Sequence, residues 1–158
     1  TAAQLKVSMF DVSERTAANL EAIKVFEAEQ KQAKKAAAEG SVAEYLESMV
    51  DVGYPLVIAR IDGLDSGALR NTWDIMRSRM PKPGACVIGT VNDGKPVIMA
   101  AGTDEAVAAG FNAGALIKEI ASNIKGGGGG KPTMAQAGGK DAEGMDAALD
   151  AARAHFNL

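Results

Sequence analysis

Five consecutive glycines, Gly126 to Gly130, constrain this chain more than any other feature, because neither a helix interior nor an ordinary strand is built from residues without Cβ. The run leaves Lys125 and passes through Lys131-Pro132-Thr133 into Met134-Ala135-Gln136-Ala137; a second pair, Gly138-Gly139, ends at Lys140. Such residues can take φ > 0 and turn successive N–H groups toward a ligand, forming the concave nest that suits phosphate oxygens. Lys118, Lys125, Lys131 and Lys140 lie in or just before the stretch. A flexible linker would be richer in serine and would not lead into an apolar-and-amide string. The residues alone leave open an ordered loop facing an anion or nucleotide, and a mobile or packing loop.

The charge distribution favours a localised anionic partner. The chain has a formal net charge of −3 over 158 residues, which argues against a uniformly coated nucleic-acid binder. Residues 113–140 nevertheless carry four lysines against Glu119 alone, and residues 60–103 carry six basic groups, including Arg60, Arg70, Arg77 and Lys82, against four acids. Residues 141–158 are acidic in compensation, so a basic middle is flanked by acidic ends, as a phosphate-contacting face requires. An apolar content of 47% fits one globular domain, or a small domain with a helical appendage. No membrane span or secretion signal is visible, and the first residue is Thr1, so a processed chain or a piece of a longer one is expected. The single cysteine, Cys86, fits a reducing, cytoplasmic compartment without an internal disulfide.

The pattern predicts a helical subdomain over residues 1–51 and a globular subdomain over 52–158. Asp11-Val12-Ser13-Glu14 has capping-box spacing, and the following Ala, Glu, Lys and Gln favour a long helix to about Ala38. Gly40 then reads as a break and Ser41-Val42-Ala43-Glu44 as a second box, opening a short helix with Val42, Tyr45, Leu46 and Met49 on one face. A helical hairpin, a dimerisation arm, or both are expected. Leu56–Ala59 reads as a buried strand, and Asp65 as the cap of a helix facing inward through Leu69, Trp73, Met76 and Met80. Ala85–Val91 and Pro96–Ala101 read as strands joined by the Asn92-Asp93-Gly94-Lys95 turn. Asn112 caps a helix to Ile124, with Lys118, Ser122 and Lys125 on its polar face, and a last helix runs from about Ala142 to Phe156. The order β-α-β-β-α-loop-α predicts an α/β fold, a small mixed sheet packed by helices.

Catalytic machinery is missing from this pattern. One histidine, His155, and one cysteine cannot build the usual zinc site, and a histidine near a helix C-terminus reads as a solvated end group. Asp62/Asp65 and Asp104/Glu105 have turn and cap spacing. The glycine run follows a helix and ends Gly130-Lys131-Pro132, which is neither a P-loop nor a dinucleotide fingerprint. Sparse aromatics disfavour binding led by base stacking, whereas recognition of a folded RNA by shape and backbone asks less of them.

Residues 126–141, GGGGGKPTMAQAGGKD, resemble the signature of the C-terminal domain of alanyl-tRNA synthetase, in which a glycine-rich run leads through a basic residue and proline into Met-Ala-Gln-Ala-Gly-Gly. Leu5-Lys6-Val7-Ser8, Ile61-Asp62-Gly63-Leu64-Asp65 with Ala68-Leu69-Arg70, and Ala113–Ala121 extend the likeness along the chain. The resemblance implies a non-catalytic module that holds the tRNA elbow, bridges the aminoacylation and editing domains, and dimerises through its helical part. It implies RNA contacts at Lys118, Lys125, Gly126, Gly127, Gly128, Gly129, Gly130, Lys131, Gln136, Gly138, Gly139 and Lys140, with Gln136 reading a 2′-OH or base edge. The family often has arginine at the position of Lys131, so bidentate phosphate geometry is lost there. No cofactor or metal is expected in this piece; ATP, magnesium and zinc belong to the parent's other domains. Its partners are then tRNA and those domains, with no membrane. The DHH-type phosphoesterases share a similar glycine-rich tail, but a histidine is expected after their glycines. A free-standing alanyl-tRNA editing protein and a purely structural dimerisation domain are the other readings.

Overall fold

Local signals set most of the elements, and the computed structural model shows how they assemble. It describes the backbone of residues 9–158 and the side chains of residues 18–30, 32–33 and 42–158. Leu5-Lys6-Val7-Ser8 and the side chains of the Asp11–Glu14 box and of Ser41 lie outside the described residues. The chain divides into a unit ending at Ala37 and one running from Ala38 to Leu158.

Helix α1 (Met9–Glu47) continues through Gly40 without a break, so the helical hairpin expected there does not form. Helix-favouring residues flank Gly40 on both sides, and one interior glycine costs only about 1 kcal/mol. In the first unit Leu20, Ile23 and Phe26, at three-residue spacing, are 58%, 53% and 60% exposed.

The second unit is built on a six-stranded sheet in the order β1-β2-β3-β4-β6-β5. Its strands are β1 (Val50–Asp51), β2 (Pro55–Arg60), β3 (Ala85–Asn92), β4 (Lys95–Gly102), β5 (Gly127–Lys131) and β6 (Met134–Gly138). β2 and β3 are parallel, as the crossover through α2 (Ser66–Arg79) requires, and the other neighbours are antiparallel. The Asp65 carboxylate accepts from the Ala68 N–H at 2.7 Å to start α2, which ends at Met80 before Pro81. Asp93 and Gly94, with φ of 51° and 73°, form the tight β3–β4 turn that the sequence predicts. Asn112 caps α4 (Ala113–Ile120) through a 3.0 Å bond from Ala115 N–H, and a 3-10 turn (Ala121–Ile124) prolongs it. The short strand β1 and the five-residue helix α3 (Asp104–Ala108) escape the sequence pattern because each is shorter than its period.

The sheet separates two apolar layers. On one face α4 and α5 (Gly144–His155) bury Leu116, Ile117, Ile120, Met145 and Leu149 against Leu56, Val87, Ile98, Ala135 and Ala137. On the other, α2 buries Leu69, Trp73 and Met76 against Val57, Ile88, Met99 and Ala101, with Val42 joining from the end of α1. Cys86 is fully enclosed in this second layer, and burial pushes its thiol pKa far up. An aromatic disulfide reagent is therefore expected to leave Cys86 unmodified in the native protein and to titrate one thiol after denaturation. Fast native-state labelling would contradict this packing.

Candidate nucleic-acid interface

The glycine run forms a strand, which overturns the nest. Gly127–Lys131 pairs in antiparallel register with Met134–Gly138 across a two-residue Pro132-Thr133 turn. None of Gly126–Gly130 has a left-handed φ; the left-handed residue is Lys125, at 48°, where the 3-10 turn gives way to β5. The N–H groups of a nest would converge, but these are spent elsewhere. Gly126 N–H donates to Ala121 O at 3.1 Å, Gly139 N–H to Pro96 O at 2.9 Å and Lys140 N–H to Ile124 O at 3.0 Å. Within β5, alternate N–H groups bond β6, as antiparallel pairing dictates.

The glycines divide into two sets. A Cβ on Gly126 would meet Gly138 O, one on Gly128 would meet Gln136 O and Ala137 Cα, and one on Gly130 would meet Met134 O. These three let β5 lie against β6. Gly127 and Gly138 have no atom within 4 Å of a Cβ, and Gly129 has only Lys118 Cε at 3.8 Å, so packing does not demand glycine there. Gly127 and Gly138 are register partners, in one row with Val97 of β4, and Gly129 pairs with Gln136 in the next row beside Met99. That row structure places Gly138 and Gln136 on the α2 side of the sheet, because Met99 is in the α2-side core and the alternating Ala135 and Ala137 are in the other. Gly127 and Gly138 stand at strand ends and Gly129 inside β5; with no neighbour demanding glycine, these positions leave room for a ligand or another backbone to approach closely.

The expected side chains surround this bare surface unequally. Lys118, Lys131 and Lys140 are exposed and make no ion pair among the described residues. Lys125 is committed: its ammonium lies 2.9 Å from Asp141, and that hydrogen bond raises the lysine pKa and lowers the carboxylate's. Gln136 donates to Ser66 Oγ at 2.8 Å, tying β6 to the first turn of α2. Beyond it an open groove of about 710 Å³ runs between α2 and the hairpin turn, lined by Trp73, Arg77, Lys82, Glu105, Thr133 and Met134 among others. Glu105's carboxyl is held below its usual range by its own backbone N–H, the Thr103 hydroxyl and the charge of Lys82. The sequence counts these cations but does not bring them beside the hairpin turn at Thr133 and Met134; only the fold of α2 over β4 does so. His155 sits 2.9 Å from Glu119, away from the hairpin turn, and no cluster of His, Cys, Asp and Glu suited to a metal occurs among the described residues.

Residues 53–157 match the family model described as the DHHA1 domain. The chain belongs to the DHHA1 domain family. The match takes in the sheet from β2 onward, α2, the glycine hairpin and all of α5, while α1 lies outside it. The alanine–tRNA ligase of Acetivibrio thermocellus is 40% identical over 146 residues, covering 92% of this chain and 16% of the ligase. The C-Ala domain of Aquifex aeolicus alanyl-tRNA synthetase superposes with a TM-score of 0.58 at 26% identity, over 66% of this chain and 93% of that domain. RecJ of Thermus thermophilus, with a TM-score of 0.51 at 12% identity over 84% of this chain and 20% of RecJ, shares the fold alone. The chain spans between 12% and 17% of the length of the alanine–tRNA ligases it resembles. No helix among the described residues of this DHHA1 chain is long and apolar enough to cross a membrane.

Proposed function

We propose that this DHHA1 domain is the C-terminal tRNA-binding module of a cytoplasmic alanine–tRNA ligase, without catalytic chemistry of its own. It holds the elbow of tRNA and links the aminoacylation and editing domains of its parent, where ATP, magnesium and zinc would act. The observation that carries this reading is the glycine hairpin: Gly127, Gly129 and Gly138 leave a bare surface although internal packing does not demand glycine there, and Lys118, Lys131 and Lys140, without an ion pair among the described residues, lie on and around the same hairpin. Bare peptide planes with lysines around them suit the sugar-phosphate surface of a folded RNA better than a small substrate. The likeness to ligases in sequence favours this over a phosphoesterase origin, because the likeness to RecJ extends only to the fold. The exposed Leu20, Ile23 and Phe26 stripe supports self-association of α1 as a second role.

Titration of the chain with folded tRNA at several salt concentrations tests the reading. Affinity should fall steeply with salt, and Lys118/Lys131/Lys140→Ala should weaken binding about tenfold or more and flatten the salt slope by roughly 0.7–0.9 per lost phosphate contact. Heat-unfolded RNA should bind less well. Failure of the unaltered chain to bind at low salt would overturn RNA binding, and a dimeric mass in light scattering would then favour the structural reading.

A further inference from the structure

The side chains of α2 bear on the path of a bound RNA, an inference that rests on the tRNA-binding role proposed for this domain. Ser66, Arg70, Trp73 and Arg77 follow at i, i+4, i+7 and i+11, so they share one flank of the helix. The structure fixes which way this flank points. Ser66 accepts the hydrogen bond from Gln136 of β6, while Trp73 and Arg77 line the groove with Thr133 and Met134 of the hairpin. Arg70 lies between these two anchored points and is exposed.

The sheet below this flank is only partly covered. α2 buries residues of β2, β3 and β4, and beyond it Gly138, Gly127 and the half-exposed Gln136 and Gly129 continue the same face bare to the edge of the sheet. A shelf therefore has two arginines along its inner wall, a floor of peptide planes, and Lys131 at the hairpin turn. Lys82, exposed and without an ion pair among the described residues, extends the cationic wall. Acids also face the groove. Asp74 lies 3.7 Å from Arg77, and Asp104 and Glu105 close the far end at α3, where a polyanion would be repelled.

We infer that the α2 arginines, Arg70 and Arg77, are phosphate contacts, and that the RNA backbone lies across the open β6–β5 half of the sheet on the α2 side. A shelf with cations on one wall and the peptide planes of Gly127, Gly129 and Gly138 along the outer part of its floor complements a ribose-phosphate strand, and the acidic end at Asp104 and Glu105 gives that strand a limit.

Arg79 supplies an internal control. It is exposed and carries the same charge, but its helical position turns it to the opposite flank of α2, about half a turn from Arg77. Arg70→Ala/Arg77→Ala is expected to weaken binding of folded tRNA by about tenfold or more and to reduce the salt slope by about 1.5, whereas Arg79→Ala should change affinity less than twofold. Circular dichroism and thermal melts should match the unaltered chain, since all three side chains are exposed. Equal losses in all the variants would reduce the effect to net charge and overturn the assigned face. Unchanged affinity in Arg70→Ala/Arg77→Ala, with the unaltered chain still binding, would also overturn it. Failure of the unaltered chain to bind would instead remove the RNA reading on which the inference stands.

Discussion

Gly128→Ala is expected to destabilise the domain by about 3 kcal/mol, while Gly127→Ala, one residue away, should shift stability by less than about 1 kcal/mol. Both positions are exposed glycines in β5, and neither has a left-handed φ, so propensity scales would treat them alike. The difference is in what a methyl group meets. At Gly128 it runs into the carbonyl oxygen of Gln136 and Cα of Ala137, which are backbone atoms of the partner strand and cannot rotate away. β5 must then part from β6, exposing Ala135 and Ala137 and loosening α4 above them. At Gly127 the same methyl group enters open space. Chemical denaturation reads the contrast as a lowered midpoint at constant slope for Gly128→Ala alone, and a thermal melt as a loss of about 10 °C. The same Gly127→Ala protein should be folded and yet bind tRNA more weakly, because its methyl group stands where the RNA surface would lie. Equal stability of the two variants would contradict the division of the glycines.

That division also explains where the sequence stops being legible. Asp65 with Leu69, Trp73, Met76 and Met80, the Asn92–Lys95 turn, and the Asn112 cap are all local signals, and each stands where the pattern puts it. A strand of glycine has no such signal. Glycine has neither the branching nor the bulk that favours strands, so β5 is imposed by the fit of β6 and α4 around it rather than by its own preference. Ala113 N–H donating to Pro132 O at 2.9 Å shows that fit from the helix side. Gly40 fails in the opposite sense: it reads as a stop, but strong helix formers on both sides carry α1 through. The lysines of the candidate site are visible in composition, whereas Arg70 and Arg77 become part of it only once α2 crosses over the sheet. A parallel β2–β3 pairing fixes that crossover, and it joins residues too distant in sequence for any short window to reveal.

Trp73→Ala is the substitution expected to cost most, about 3–5 kcal/mol of the roughly 5–15 kcal/mol that a domain of this kind possesses. Trp73 is only 2% exposed and packs in the α2-side layer with Leu69, Met76 and Met99, while one edge reaches the groove beside the hairpin. Its removal leaves a cavity that the sheet cannot close, because β3 and β4 are held by a full antiparallel ladder from Ala85–Gly102 to Asn92–Lys95. α2 is the element free to respond, and it carries Arg70 and Arg77. Stability and RNA affinity should therefore fall together in Trp73→Ala, unlike in Arg70→Ala/Arg77→Ala, where affinity should fall alone. Trp73→Phe, which retains a ring in the layer, should recover most of both. Measured by denaturant unfolding and tRNA titration of the same preparations, a Trp73→Ala protein of reduced stability but unaltered affinity would show that the position of α2 over the sheet does not matter to the RNA.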